Sequence, residues 1–270
     1  MHKAVIMARG LGTRMRKADD AADIDTDQAK IAETGVKALI PVDGDRPFLD
    51  YVLTGLADAG YTDVCLVIGP EHDAVREYYG QTVKPRRLNI SFATQEKPLG
   101  TSDAVHAAEA FAGDDHVLVI NSDNYYPVEA LERLRKLDGH GLAGFERESM
   151  IAGSNIAAER VTKFAAIKVD NGTMTQILEK PSEEVLAALP EPICLSMNCW
   201  RFGPSIFKAC AAIEPSPRGE LEITDAVQMV IDDYKEPFEV ISVNAPVLDM
   251  SSRGDIGPVA ERLAGITVDF

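Results

Sequence analysis

A chain of 270 residues with 46% hydrophobic content can bury a substantial core, and one large domain accounts for that length. Its formal net charge of −16 argues against a general nucleic-acid binder, because phosphate backbones would be repelled over most of the surface, so any bound anion must sit in a local basic pocket. Cys65, Cys194, Cys199 and Cys210 form no C-x-x-C pair and the histidines form no H-E-x-x-H, which leaves reduced core thiols and no zinc site. No stretch reaches the apolar length of a membrane span, so a cytoplasmic protein without membrane partners is expected.

Apolar runs at 4–8, 63–68, 88–93 and 116–121 read as buried strands. The first feeds directly into Arg9-Gly10-Leu11-Gly12-Thr13-Arg14. A glycine turn with cations at the carboxyl end of a strand is where an α/β sheet binds phosphate. It is neither of two familiar forms: no Gly-Lys-Ser/Thr follows the last glycine, and Met15 stands where a dinucleotide fingerprint needs a third glycine.

Residues 17–35 are acidic and alanine-rich, the one compositional break. The run Asp23-Ile24-Asp25-Thr26-Asp27 resembles the opening of a calcium loop, but Gln28 and Thr34 replace the required glycine and glutamate, so a solvated, mobile flap is the expectation. Residues 47–59 show helical spacing and stop at Gly60, and residues 102–112 stop at Gly113. Beyond the fourth strand lies Asn121-Ser122-Asp123-Asn124, where a carboxylate is placed to bind a metal or to cap a turn, with Pro127 opening the next helix. Asn171-Gly172 between β-type runs at 163–169 and 174–178 signals a hairpin, which adds an antiparallel part to a parallel sheet. A strand at 239–243 precedes a second carboxylate, Asp249.

Seven segments in order resemble the sugar-1-phosphate nucleotidylyltransferases. Met7-Ala8-Arg9-Gly10-Leu11-Gly12-Thr13-Arg14 is similar to L-A-G-G-x-G-T-R, and Val36-Lys37-Ala38-Leu39-Ile40-Pro41-Val42 to P-K-x-L-x-P-V. The segment from Gln95 to Val105 resembles the base-binding segment, Ser122-Asp123-Asn124 resembles G-D-N, and Glu179-Lys180-Pro181 matches E-K-P. Arg218 to Asp225 matches R-G-E-x-E-I-T-D, and Leu248-Asp249 the late aspartate motif.

The resemblance implies a single Rossmann-like three-layer α/β/α domain over 1–270, with a mixed, mostly parallel sheet and an antiparallel sugar-side lobe at 160–202. It implies that an NTP and a sugar 1-phosphate give an NDP-sugar and pyrophosphate. Arg14, Lys37 and Lys180 would be catalytic. Ala8, Arg9, Gly10, Leu11, Gly12, Thr13, Gln95 and Gly100 would hold the nucleotide, and Asn124, Glu179 and Asn198 the sugar. Asp123 and Asp249 would hold Mg²⁺. A homo-oligomer stays open. Glu220, Glu222 and Asp225 read as structural, with Asp225 and Gln228 capping the next helix.

Three departures bear on specificity. Arg9 replaces the loop's first glycine, Cys199-Trp200 replaces the threonine and glycine that often follow Asn198, and residues 17–35 lengthen the first connection into a candidate lid. Phe270 comes before any β-helix or acyltransferase domain, so the transferase domain alone is expected. The competing readings are a regulatory homologue that binds nucleotide sugars without turnover, a nucleotidylyltransferase for a non-sugar phosphate such as phosphocholine, and, disfavoured by Met15, a dinucleotide-dependent oxidoreductase.

Overall fold

The computed structural model describes residues 1–270 except 18, 20, 21 and 23, and leaves the side chains at 161–163 undescribed. Asp20 and Asp23 of the acidic segment therefore lie outside the described residues.

The sheet's nine strands are β1 Lys3–Met7, β2 Asp63–Ile68, β3 Asn89–Thr94, β4 Val117–Asn121, β5 His140–Glu146, β6 Ala165–Asp170, β7 Thr173–Leu178, β8 Cys194–Phe202 and β9 Phe238–Val243. Their spatial order is β3-β2-β1-β4-β8-β5-β9-β7-β6. The first four are parallel. Beyond β4 the pairing turns antiparallel, except between β5 and β9. The hairpin read from Asn-Gly joins β6 to β7, with both turn residues at positive φ (47° and 79°), as a type I′ turn requires. Residues 160–202 thus extend the same sheet. The antiparallel region is more extensive than one hairpin signals, because the long strand β8 also pairs with β4, β5 and β6.

Side-chain alternation along the strands builds two cores. Ala4, Ile6, Leu66, Ile68, Leu118 and Ile120 face the helices Phe48–Asp58, Val128–Lys136 and Ile256–Leu263. Val5, Met7, Cys65, Val67, Val117 and Val119 face the helices Thr101–His106, Ser205–Ala212 and Ile223–Asp232. Strands buried on both faces read as continuous apolar runs, as β1, β2 and β4 do, whereas β3, expected to be buried, is an edge strand with Asn89, Ser91 and Thr94 exposed. All four cysteines are free and buried. Among the described residues, no helix is long and apolar enough to cross a membrane.

Two local expectations are corrected. The stretch 102–112 breaks into two short helices, Thr101–His106 and Glu109–Ala112. The helix Ile223–Asp232 is not capped by Asp225 or Gln228: Thr101 Oγ1 accepts from the Ile223 N–H at 2.9 Å, and Gln228 accepts from the Ile177 N–H and donates to Asp232. The acidic segment also carries structure. Thr26–Thr34 is a helix whose capping box joins Asp25 and Gln28, and Gln28 Nε2 reaches Pro41 O at 2.9 Å.

His140 in β5 ties three elements together. Its Nδ1 accepts the Gly203 N–H at 3.1 Å, and its Nε2 lies 2.7 Å from Glu236 and 2.9 Å from Ser205. Accepting at Nδ1 requires the neutral ring, and burial lowers the pKa below 6.5 although Glu236 acts to raise it. A depressed folded-state pKa gives a contribution to stability that is full above the unfolded value and lost as pH falls. We predict that unfolding free energy declines as pH drops from 6.5, and that His140→Gln flattens this decline in denaturant titrations. Equal slopes in both proteins would remove His140 as the source.

Candidate active site

A cleft of about 590 Å³ opens at the carboxyl ends of β1 and β4, and it gathers residues from six of the seven segments. Its wall includes Ala8 through Arg14, Lys37, Gln95, Gly100, Asp123, Glu179, Lys180 and Asn198. A second cavity of about 470 Å³, around Arg46, Asp50, Tyr78 and Phe270, shares no residue with it.

The glycine turn leaves β1 exposed at Gly10 and Leu11 and enters the short helix Thr13–Arg16 through Gly12, at φ 59°. Only glycine fits there: a Cβ on Gly12 would lie 2.3 Å from Gly35 O. Gly35 ends the helix of the acidic segment, and Arg16 donates twice to Thr34 O, at 2.8 and 3.1 Å. The phosphate-type turn and the inserted helix are thus packed back to back. Arg14 projects from the turn, exposed. Arg9 lies in the cleft wall with its guanidinium turned onto a carboxylate. Its residue is 8% exposed, and its guanidinium forks onto the Glu71 carboxylate at 3.2 and 3.3 Å.

At one side of the cleft, Gln95 Nε2 donates to Gly100 O (3.0 Å) and Asp103 (2.8 Å). Gly100 has φ 135°, and a Cβ on it would lie 2.4 Å from Leu221 O. The backbone of Leu99 and Ser102 bonds that of Leu221, which zips the base-type segment to R-G-E-x-E-I-T-D. That motif therefore reaches the cleft. Arg218 pairs with Glu179 (3.3 Å) and Glu222, so Glu220 and Glu222, read from sequence as structural, line the wall together with Arg218. Burial, and then the charge of Glu222, raise the Glu179 pKa.

Asn198 and Lys180 share an uncommon backbone, with φ 53° and 44°. For Asn198 the cause is a bulge in β8: the register to β5 shifts between Ser196 and Trp200. The bulge re-aims Asn198, whose amide bonds Asn121 (3.4 Å) and accepts from Trp200 Nε1 (3.2 Å). Trp200 is fully buried against Phe202 and Phe238, so the core fixes the orientation of a cleft residue.

The two candidate metal carboxylates come from neighbouring backbone, with Asp123 in the cleft wall and Asp249 buried outside it. Asn124 and Asp249 are paired residues of a two-stranded ribbon, and Met250 N bonds Asp123 O at 2.8 Å. Asp123 accepts from Lys37 Nζ at 2.7 Å. Asp249, 4% exposed, accepts from Asn124 (3.1 Å), Ser251 (2.9 Å) and Arg160. Burial and then the neighbouring charge of Asp123 push its pKa up to about 6. Asn124, expected at the sugar, is 2% exposed and lies outside the cleft wall, because its amide is committed to Asp249 and Asn121. Among the described residues no group of three or more His, Cys, Asp or Glu side chains is arranged to hold a metal. The two carboxylates do fit Mg²⁺ chemically, since hard oxygen donors supplemented by substrate phosphates are its usual ligand set.

Sequence reasoning missed Arg160, Asn155 and Asp255, which surround Asp249, and Glu71, which holds Arg9. Arg160, Asn155 and Glu71 lie in no recurring short motif, whereas Asp255 closes a capping box with Ser252, a pattern that signals a helix start and not a site.

The nucleotidyl transferase family matches the chain over residues 3–245. This chain belongs to the sugar-1-phosphate nucleotidylyltransferases, and it is an enzyme of that family. A low-salt glycan biosynthesis nucleotidyltransferase from Haloferax volcanii is 30% identical over 96% of this chain and 70% of its own length. A glucose-1-phosphate thymidylyltransferase from Streptomyces griseus is 30% identical over 85% of this chain, which spans 57% of that protein. A UTP–glucose-1-phosphate uridylyltransferase from Haloferax volcanii is 24% identical over 97% of this chain and 96% of its own length. The fold is shared with a UDP-glucose pyrophosphorylase solved with UDP-glucose, at a TM-score of 0.74 and 19% identity over 97% of this chain and 98% of that one.

The contact between Gly12 and Gly35 yields a direct test. Gly12→Ala forces a left-handed alanine, which costs about 1–2 kcal/mol, and drives its methyl into Gly35 O. We predict that stability in denaturant falls by at least that amount and that nucleotide binding weakens. Wild-type stability and affinity would show that the turn and the inserted helix separate freely.

Proposed function

We propose that this chain joins an NTP to a sugar 1-phosphate by a single displacement within the cleft. An oxygen of the sugar phosphate attacks the α-phosphorus in line, the bond to the bridging oxygen of the leaving pyrophosphate breaks, and no proton needs to move. The observation that carries this reading is the convergence of Arg14, Lys37, Asp123 and Lys180 on one cleft, from four distant parts of the chain.

For two anionic reactants the barrier lies in approach and orientation, so cations and backbone amides are the principal catalytic groups. The amides of the glycine turn, with Arg14 and Lys37, bind the triphosphate. Lys180 grips the sugar phosphate, while Glu179 and Asn198 accept or donate hydrogen bonds at sugar hydroxyls. Gln95 and Gly100 face the base. Mg²⁺, when bound by Asp123 and Asp249, neutralises phosphate charge at both substrates. The names of the relatives make a uridine or thymidine triphosphate with glucose 1-phosphate the first pair to assay, in a cytoplasmic enzyme.

A matrix of NTPs against sugar 1-phosphates, read by pyrophosphate release, tests the proposal. At least one pair should turn over with Mg²⁺ and run in reverse. Nucleotide-sugar binding without turnover by any pair would favour the regulatory homologue, and activity confined to phosphocholine would favour the non-sugar enzyme. Asp123→Ala should lower turnover by about a hundredfold or more while the fold keeps its core. Lys180→Ala should raise the KM for sugar phosphate, whereas Arg14→Ala should impair use of the triphosphate. Identical kinetic profiles for these two variants would contradict the division of roles.

A further inference from the structure

We propose that Arg160 is a positioning residue that holds the Asp249 carboxylate in place for a divalent cation, an inference that rests on the reading of Asp123 and Asp249 as the cation's ligands. Arg160 lies in the 3₁₀ turn Ala158–Lys163, immediately before β6 and outside every segment that carries the family resemblance.

Its guanidinium bridges two buried carboxylates. One nitrogen donates to Asp249 Oδ2, and the other donates to Asp255 Oδ1 at 2.8 Å. Asp255 is a fixed anchor: its Oδ2 accepts from Ser251 N (3.1 Å), Ser252 N (2.7 Å) and Ser252 Oγ (2.8 Å). Asn155 closes the frame by donating to Asp249 O (2.8 Å) and Asp255 Oδ1 (3.2 Å) and accepting from Asp249 N (2.9 Å). A planar fork tied at one end to a rigid carboxylate fixes the orientation of the carboxylate at its other end, which a flexible ammonium cannot do.

Two other roles are open to such an arginine. It could be a plain structural ion pair, or a competitor that fills the cation's place. The charge balance favours positioning. Among the described side chains, Asp123, Asp249 and Asp255 pair with Lys37 and Arg160, three carboxylates to two cations, which leaves negative charge for a cation to meet. The placement on Asp249 also opposes competition, because Asn124 and Ser251 both donate to Oδ1 while the guanidinium makes one bond to Oδ2, which leaves acceptor capacity on Oδ2. Groups that orient a metal ligand from behind typically contribute about 10–100-fold to metal affinity.

The test titrates the full-length protein with Mn²⁺ alone, following free Mn²⁺ by electron paramagnetic resonance, alongside thermal unfolding without metal. Arg160→Met should weaken Mn²⁺ binding by about 10–100-fold, Arg160→Lys should restore part of it, and the Mg²⁺ concentration needed for half-maximal turnover should rise more than kcat falls. Unchanged Mn²⁺ affinity in a folded Arg160→Met protein would reduce Arg160 to a structural ion pair, and tighter binding would make it a competitor; either overturns the proposal. Asp249→Asn is measured in parallel. If it leaves Mn²⁺ affinity untouched, the assignment of the carboxylates themselves is wrong, which is a different failure from a silent Arg160→Met beside a weakened Asp249→Asn.

Discussion

Asp123 and Asp249 repel one another, and the architecture beside the cleft is organised around keeping them together. The short ribbon that pairs Asn124 with Asp249 sets their backbones side by side. Lys37 then neutralises one carboxylate from the mouth of the cleft, and Arg160 steadies the other from behind. A buried ion pair of this kind contributes little net stability, since desolvation offsets most of the attraction. Its consequence is local geometry and charge, held at the point where two anionic substrates must approach. Burial first, and then the charge of Asp123, raise the pKa of Asp249.

The same region links to the glycine turn. The 3₁₀ turn Arg253–Asp255 carries both Asp255, which anchors Arg160, and Arg253, which donates to Met15 O at 3.0 Å just beyond the glycine turn. Gly12 in turn presses on Gly35 at the end of the inserted helix. Phosphate turn, inserted helix and carboxylate pair therefore form one connected body on the β1–β4 side of the sheet. Glu179 and Lys180 lie just beyond β7 and Asn198 lies in β8, so the cleft opens between a parallel half and an antiparallel half of the sheet.

How much of this was legible in the sequence follows from the range of each interaction. Strands buried on both faces announce themselves by unbroken apolar runs, and the β6–β7 hairpin by Asn171-Gly172, because those signals are local. The glycine turn, Lys37, Asp123 and Lys180 were found because each sits in a short motif at a strand or turn end. Asn124 was misplaced because strand alternation turned it under the carboxylates, a reversal by one residue that periodicity after a strand end does not resolve. The helix Thr26–Thr34 did have a local signal, Asp25 followed three residues later by Gln28, but the neighbouring aspartates drew the comparison with a calcium loop instead. Arg160 and Asn155 reach Asp249 and Asp255 across about ninety or more positions, and no local pattern encodes those contacts; Asp255 has a local signal only for its capping box with Ser252.

The central claim is that this cleft brings two anions together for one direct displacement, with no nucleophile supplied by the protein. The stereochemical course at the α-phosphorus tests it most directly. With a nucleoside triphosphate carrying a single sulfur of defined configuration on the α-phosphorus, the product nucleotide sugar should show inverted configuration by ³¹P NMR, as one in-line attack requires. Retention would mean two successive displacements through a covalent nucleotidyl-protein intermediate, and would contradict the account.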